Sequence, residues 1–150
     1  MQNSTSKVRV LTGTAMLGAV AAVLMYLEFP IPIMPAFVKL DVSELPALIA
    51  SFAYGPVSGI LVCLIKNLIK LPSTSTAAVG ELFNFVMGAL FVGVAGLIYK
   101  RNKTRKGAIV GALLGALVMA VVSVPYNYFI VYPAYVVMYH LPLDAIIGMY

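Results

Sequence analysis

Apolar residues run along this chain in long uncharged blocks, separated by short polar or proline-rich joints. The first block, Val10 to Leu27, follows Lys7 and Arg9 and holds eighteen residues without a charge. That is the length of a membrane-crossing helix. Beyond it Pro30, Pro32 and Pro35 punctuate an apolar stretch. Proline fixes φ and lacks an N–H, so this stretch is expected to be extended and to lie at an interface or against protein.

A second helix is expected after Lys39–Glu44. Asp41 or Ser43 suits its N-cap, Glu44 its first turn and Pro46 an early helical position. It ends near Tyr54, before Gly55-Pro56, and is too short to cross a bilayer alone. Helix three restarts at Pro56 and runs to about Leu71, making a hairpin with helix two and carrying Lys66 and Lys70 near its far end. A polar joint, Pro72–Thr76, leads to helix four, Ala77 to Tyr99. A basic joint at 100–106 leads to helix five, which starts at Gly107 and passes Tyr126. Pro133 is expected to kink or end it. His140-Leu141-Pro142 reads as a turn, and Leu143 to Tyr150 opens another apolar stretch.

Composition turns these blocks into a class. Of 150 residues, 62% are hydrophobic and 10% charged, and the mean hydropathy is +1.01. Soluble domains carry about 25% charged residues. An all-α integral membrane fold is therefore expected, as one transmembrane domain over residues 1–150, with room for five or six crossings. A soluble enzyme and a nucleic-acid binder are excluded, and a partner would have to supply energy for any driven process. The apolar run of helix one is too long for a secretory signal and has no small-residue cleavage site, so it reads as a retained span. The single Cys63 cannot form an internal disulfide, and the single His140 cannot build a metal cluster. There is no nucleophile–base pair and no nucleotide loop, so the chain does not read as an enzyme.

Charge then sets orientation. Five Lys/Arg lie between helices four and five, and cytoplasmic loops carry the positive excess. With that joint inside, the N-terminus with Lys7 and Arg9 is also inside. The joints at 29–44, 71–76 and 136–143 are then outside.

Ionisable groups within membrane helices are functional candidates. Lys39, Asp41, Glu44, Lys66, Lys70 and Glu81 gather at the outer ends of helices two to four. They form either a hydrogen-bonding cup for a polar ligand or an interfacial ion-pair network. Asn84 follows Glu81 by three residues and shares its face. On helix five Tyr128, Tyr132, Tyr135 and Tyr139 form one stripe if the helix survives Pro133; an interfacial aromatic belt is the alternative. Asn127 lies beside the stripe. Its amide suits the edge of a planar heterocycle or, alternatively, a helix–helix hydrogen bond. Small residues line helix one at Ala15, Gly18, Ala19 and Ala22, and helix five at Gly107, Gly111 and Gly115. Such spacing permits close helix approach: packing within the monomer for helix five, and a partner subunit as the option for helix one.

Lys39-Leu40-Asp41-Val42-Ser43-Glu44-Leu45-Pro46-Ala47-Leu48-Ile49 is followed by Phe52 and by Gly55-Pro56. Lys66-Asn67-Leu68 comes next, then Val79-Gly80-Glu81 with Asn84-Phe85 and Gly88, then Asn127-Tyr128-Phe129 with Pro133 and Tyr135. In this order and spacing the motifs resemble riboflavin-specific S components of energy-coupling-factor (ECF) transporters over nearly the whole chain. The resemblance implies a six-helix membrane fold that holds a vitamin near the outer surface beneath the first loop. It implies binding residues among Leu40, Asp41, the 73–80 loop, Glu81, Asn84, Asn127 and Tyr128, with Asn127 on the flavin ring. It implies that Ala15 and Ala19 dock a transmembrane coupling subunit, with two cytoplasmic ATPases driving uptake. Riboflavin or FMN is then cargo, and no cofactor or metal is expected. The family's sixth helix carries a Phe-Asn-x-x-Lys-Gly motif that does not occur before Tyr150, so that helix is expected to be missing or truncated here. Alternatives are a sister specificity (thiamine, biotin or pantothenate), a structural or regulatory subunit without a solute, and a self-sufficient carrier.

Overall fold

The computed structural model describes all residues except 1, 28, 31–38, 41, 74–77, 141, 143, 145–147 and 149–150. For residues 2, 3, 30, 39, 40, 135, 138 and 139 it describes the backbone alone. The elements in order are α1 (Gln2–Tyr26), β1 (Phe29–Pro30), β2 (Lys39–Leu40), α2 (Glu44–Tyr54), α3 (Pro56–Lys70), a 3₁₀ turn (Leu71–Ser73), α4 (Val79–Arg101), α5 (Arg105–Tyr126), a π-helical segment (Asn127–Val131) and α6 (Tyr132–Tyr139). Among the described residues four stretches are long and apolar enough to cross a membrane: Ser4–Tyr26, Pro56–Ser73, Val79–Arg101 and Arg105–Ala134. α2, with eleven residues, spans only about 16 Å and packs against α3 and α4 instead.

Small residues set the packing. Along α1 the buried positions Thr14, Gly18, Ala21, Ala22 and Met25 form one stripe, and a Cβ at Gly18 would meet Ile65 of α3 at 3.0 Å. The four small residues grouped on one face in the sequence therefore divide. Gly18 and Ala22 turn inward, while Ala15 and Ala19 are exposed. Gly55 joins α2 to α3 with φ +108°, a conformation open to glycine at little cost. Gly59 lets the two helices close: a Cβ there would stand 2.9 Å from the Ala47 carbonyl oxygen. The Ser51 hydroxyl donates to the Val92 carbonyl at 2.7 Å, tying α2 to α4. Ala21, Ala47, Ala50, Val62, Cys63 and Val92 form the fully buried core.

α4 and α5 pack along the Gly107, Gly111 and Gly115 stripe. A Cβ at Gly111 would lie 2.8 Å from the Ala95 carbonyl oxygen, and one at Gly115 would lie 2.6 Å from that of Phe91. The helix-five glycines thus serve packing within the monomer. α5 begins two residues before the sequence expectation because Thr104 caps it, accepting a bond from Gly107 N at 3.0 Å. Sequence reading missed this cap.

Pro133 neither ends nor simply kinks the last helix. The helix runs through Pro125, widens into π geometry over Asn127–Val131, then resumes as α6 with Pro133 in its first turn. Proline at 133 removes one donor and crowds the carbonyl four residues back. The helix relieves that strain in the preceding π turn, where Tyr132 N reaches the Asn127 carbonyl. α5, the π segment and α6 thus form one rod. The π turn also breaks the register assumed for the tyrosine stripe. Ser43 differs from expectation as well: it occupies the N-cap position of α2 but makes no capping bond. The apolar stretch expected over 143–150 lies mostly outside the described residues.

Candidate functional site

Polar side chains concentrate inside the bundle at the end where α1 finishes, α2 and α4 begin and α3 runs out. Lys66 is completely buried. Its Nζ donates to Ser43 Oγ at 2.6 Å and to Glu44 Oε1 at 2.6 Å. This explains the missing cap: the Ser43 hydroxyl serves α3 rather than the first turn of α2. Glu44, with its side chain 28% exposed, also accepts from Cys63 Sγ through Oε2 at 3.6 Å. A Cβ at Gly88 would lie 2.6 Å from Glu44 Oε1, so Gly88 makes the room for the carboxylate. Of the two alternatives for these charges, a cup or an ion-pair network, Lys66 and Glu44 follow the second and pair with each other at 2.6 Å between α2, α3 and α4.

Among the described residues two buried side-chain acceptors remain without a hydrogen-bond partner: Asn67 Oδ1 and Asn84 Oδ1. Asn67 is 5% exposed, and its Nδ2 donates to the Cys63 carbonyl at 2.8 Å. Asn84 is half-buried on α4, one turn below Glu81, which is 8% exposed. An unpaired acceptor in an apolar bundle is costly and calls for a donor. Asn84 is legible in the sequence through its spacing from Glu81, whereas Asn67 stands there only within the Lys66-Asn67-Leu68 motif. Its signal was an amide beside a lysine in an otherwise apolar helix.

The remaining candidates divide. Asn127 is half-buried at the start of the π segment, and its N–H bonds to the carbonyls of both Ser123 and Val124. The Phe83 and Tyr126 rings touch with centroids 5.5 Å apart, which brings the start of this segment beside the first turns of α4. Tyr128 is 54% exposed and packs edge-on against Phe129 at 5.3 Å, on the outside of the rod. Tyr132 is half-buried, and the side chains of Tyr135 and Tyr139 lie outside the described residues. The Leu40 backbone pairs with Phe29 in the short antiparallel ladder. Asp41 and residues 74–77 of the 73–80 loop lie outside the described residues. At the opposite end of the bundle, a cleft of about 310 Å³ opens at the Gly55–Pro56 turn beside Phe52, Tyr99, Lys100 and Lys103. Among the described residues no three His, Cys, Asp or Glu side chains group as metal ligands.

Membrane-length helices packed on glycine and alanine, with ionisable and amide groups buried at one end, define a multi-pass membrane protein built around an internal polar region. The family model for the substrate-specific component of ECF transporters matches residues 9–150, and the chain belongs to that family. It is 39% identical over 127 residues to the riboflavin transporter RibU of Staphylococcus aureus (strain TCH60), covering 85% of this chain and 67% of that protein. It is 38% identical over 139 residues to the riboflavin transporter FmnP of Bacillus subtilis (strain 168), covering 91% and 73%. A solved S component of a bacterial ECF transporter superposes with TM-score 0.79 at 39% identity, covering 90% of this chain and 77% of that one. The relatives are transport components, and the family assigns this chain a place beside an ECF module.

Proposed function

We propose that this chain is the subunit that captures riboflavin, or its phosphate FMN, at the outer face of the membrane and delivers it to an ECF module. The observation that carries the reading is the unpaired Asn84 Oδ1 one turn below buried Glu81. An unpaired acceptor at that level suits a ligand rich in donors, as the ribityl hydroxyls and ring N–H of a flavin are. Asn127, with two donors and an acceptor, suits the alternating edge of the isoalloxazine ring. Leu40, Asp41, Glu81, Asn84, Asn127 and Tyr128 are the proposed binding residues, of which Tyr128 stands exposed on the outside of the rod beside Phe129. The names of the RibU and FmnP relatives support the flavin specificity.

In this reading the chain performs no catalysis and needs no cofactor or metal of its own. Ala15 and Ala19, exposed on α1, dock a transmembrane coupling subunit, and two cytoplasmic ATPases energise uptake. The N-terminus lies in the cytoplasm, because Lys7, Arg9 and the five basic residues of 100–106 then share the inner side with no acid. Riboflavin fluorescence and melting temperature test the reading together. Binding quenches the flavin and, at 100 times the dissociation constant, adds about 2.7 kcal/mol of stability. Stabilisation by thiamine, biotin or pantothenate in place of flavins reassigns the specificity; no response to any of them overturns the solute-binding role.

A further inference from the structure

Lys66 and Lys70 stand one helical turn apart on α3 and grip the chain on both sides of the short β ladder. Lys70 Nζ donates to the Met25 carbonyl at 3.1 Å and lies 5.8 Å from the Tyr26 ring centre. The Tyr26 hydroxyl donates to the Ile69 carbonyl at 3.3 Å and lies 2.8 Å from Ser73 Oγ, so the last turn of α1 is fastened to the outer end of α3. Lys66 fastens the first turn of α2 to the same helix through Ser43 and Glu44. Between these two fastenings β1 and β2 pair antiparallel, Phe29 with Leu40.

A buried ion pair is seldom kept for stability alone, since well-packed apolar side chains serve as well. Here its cost is compounded. Ser43 forgoes its capping bond, and position 88 needs a glycine to admit the carboxylate. What the contacts supply is position: both feet of the ladder are referred to one rigid helix, which also packs on α4, where Glu81 and Asn84 sit.

We infer that Lys66 and Lys70 are positioning residues that hold the Phe29–Leu40 ladder and the start of α2 in register with the polar groups of α4, and thereby set how long a ligand stays bound. The inference rests on the flavin-capture reading for its kinetic part alone. Two variants test it on the full chain. Lys66→Met combined with Glu44→Gln removes both charges together, so neither is left buried alone. Lys70→Met removes the second fastening, and Lys70→Arg retains a donor there. Riboflavin dissociation, read by stopped-flow displacement, is expected to accelerate on the order of tenfold in both disrupted variants, with association within about twofold of wild type. Lys70→Arg restores the slow rate. Amide exchange at Phe29, Leu40 and Leu45 is expected to accelerate while α4 and α5 keep wild-type protection. Unchanged dissociation and exchange overturn the inference, as does faster exchange spread evenly through α4 and α5, which marks a purely structural role. If wild-type protein fails to quench riboflavin, the flavin reading falls, and the exchange pattern alone decides the positioning role.

Discussion

At residue scale, the decisive contacts join one polar side chain to a second helix. Asn127 is the amide proposed to meet the flavin edge. Replacing it by leucine removes donors and an acceptor that a buried ligand needs, and affinity is expected to fall by roughly 1–3 kcal/mol. Titration of riboflavin fluorescence measures the loss; an unchanged dissociation constant removes Asn127 from the site. Gly88 is a different kind of residue. A Cβ there would stand 2.6 Å from a Glu44 carboxylate held by Lys66 and Cys63, so Gly88→Ala forces the carboxylate off its partners. A destabilisation of about 1–3 kcal/mol is expected. Gly93 supplies the control, since a Cβ there would meet Ile60 at an ordinary 3.6 Å. Equal melting temperatures for the two alanine variants would contradict the packing account.

At element scale, glycines let helix backbones approach closely where α2 meets α3 and α4 meets α5. The α4–α5 pair depends on Gly111, where an added Cβ would stand only 2.8 Å from the Ala95 carbonyl oxygen. A peptide carbonyl cannot rotate aside as a side chain does, so Gly111→Ala must push the helices apart. Its cost is expected at about 1–3 kcal/mol, read as a lowered melting temperature of the detergent-solubilised protein. An unchanged melting temperature would place α5 farther from α4 than the structure does. The π segment belongs to this scale too. It shifts the faces beyond Asn127, so Tyr128 lies outside while Tyr132 is half-buried. A sequence read at constant helical period places both on one stripe.

For the whole molecule, the two ends of the bundle differ in chemistry. One end holds the Lys66–Glu44 pair, Glu81 and the unpaired amide acceptors. The other holds the basic joint and the Gly55–Pro56 turn. Ala15 and Ala19 lie on the outer surface of α1, away from the stripe that packs on α3. This separation makes a division of labour testable. Ala15→Leu is expected to leave riboflavin quenching within about twofold of wild type, because the residue contacts neither the core nor the polar end. Its bulk is expected to block close approach of a partner helix, which co-purification with the coupling subunit and cellular riboflavin uptake would reveal. Equal loss of binding and uptake would contradict the separation.

The chain's linear pattern determined the membrane class, the Gly55–Pro56 break, the glycine seam of α5 and most helix ends to within a few residues, although α1 begins at Gln2, eight residues before its apolar run. These follow from local chemistry: apolar run length, proline's missing donor and the repeat of small residues along one helix. The motifs also carried the family. Only the tertiary structure decided how the polar residues were used, because pairing depends on which helices meet and at what depth. Lys66 and Glu44 lie twenty-two residues apart in sequence yet close on each other, and Ser43 is drawn from its cap by the same lysine. The small face of α1 divided because Gly18 packs against Ile65 of α3 and Ala22 is buried, while Ala15 and Ala19 stay open. Which amides lack partners could be known only after every neighbouring donor had found its place.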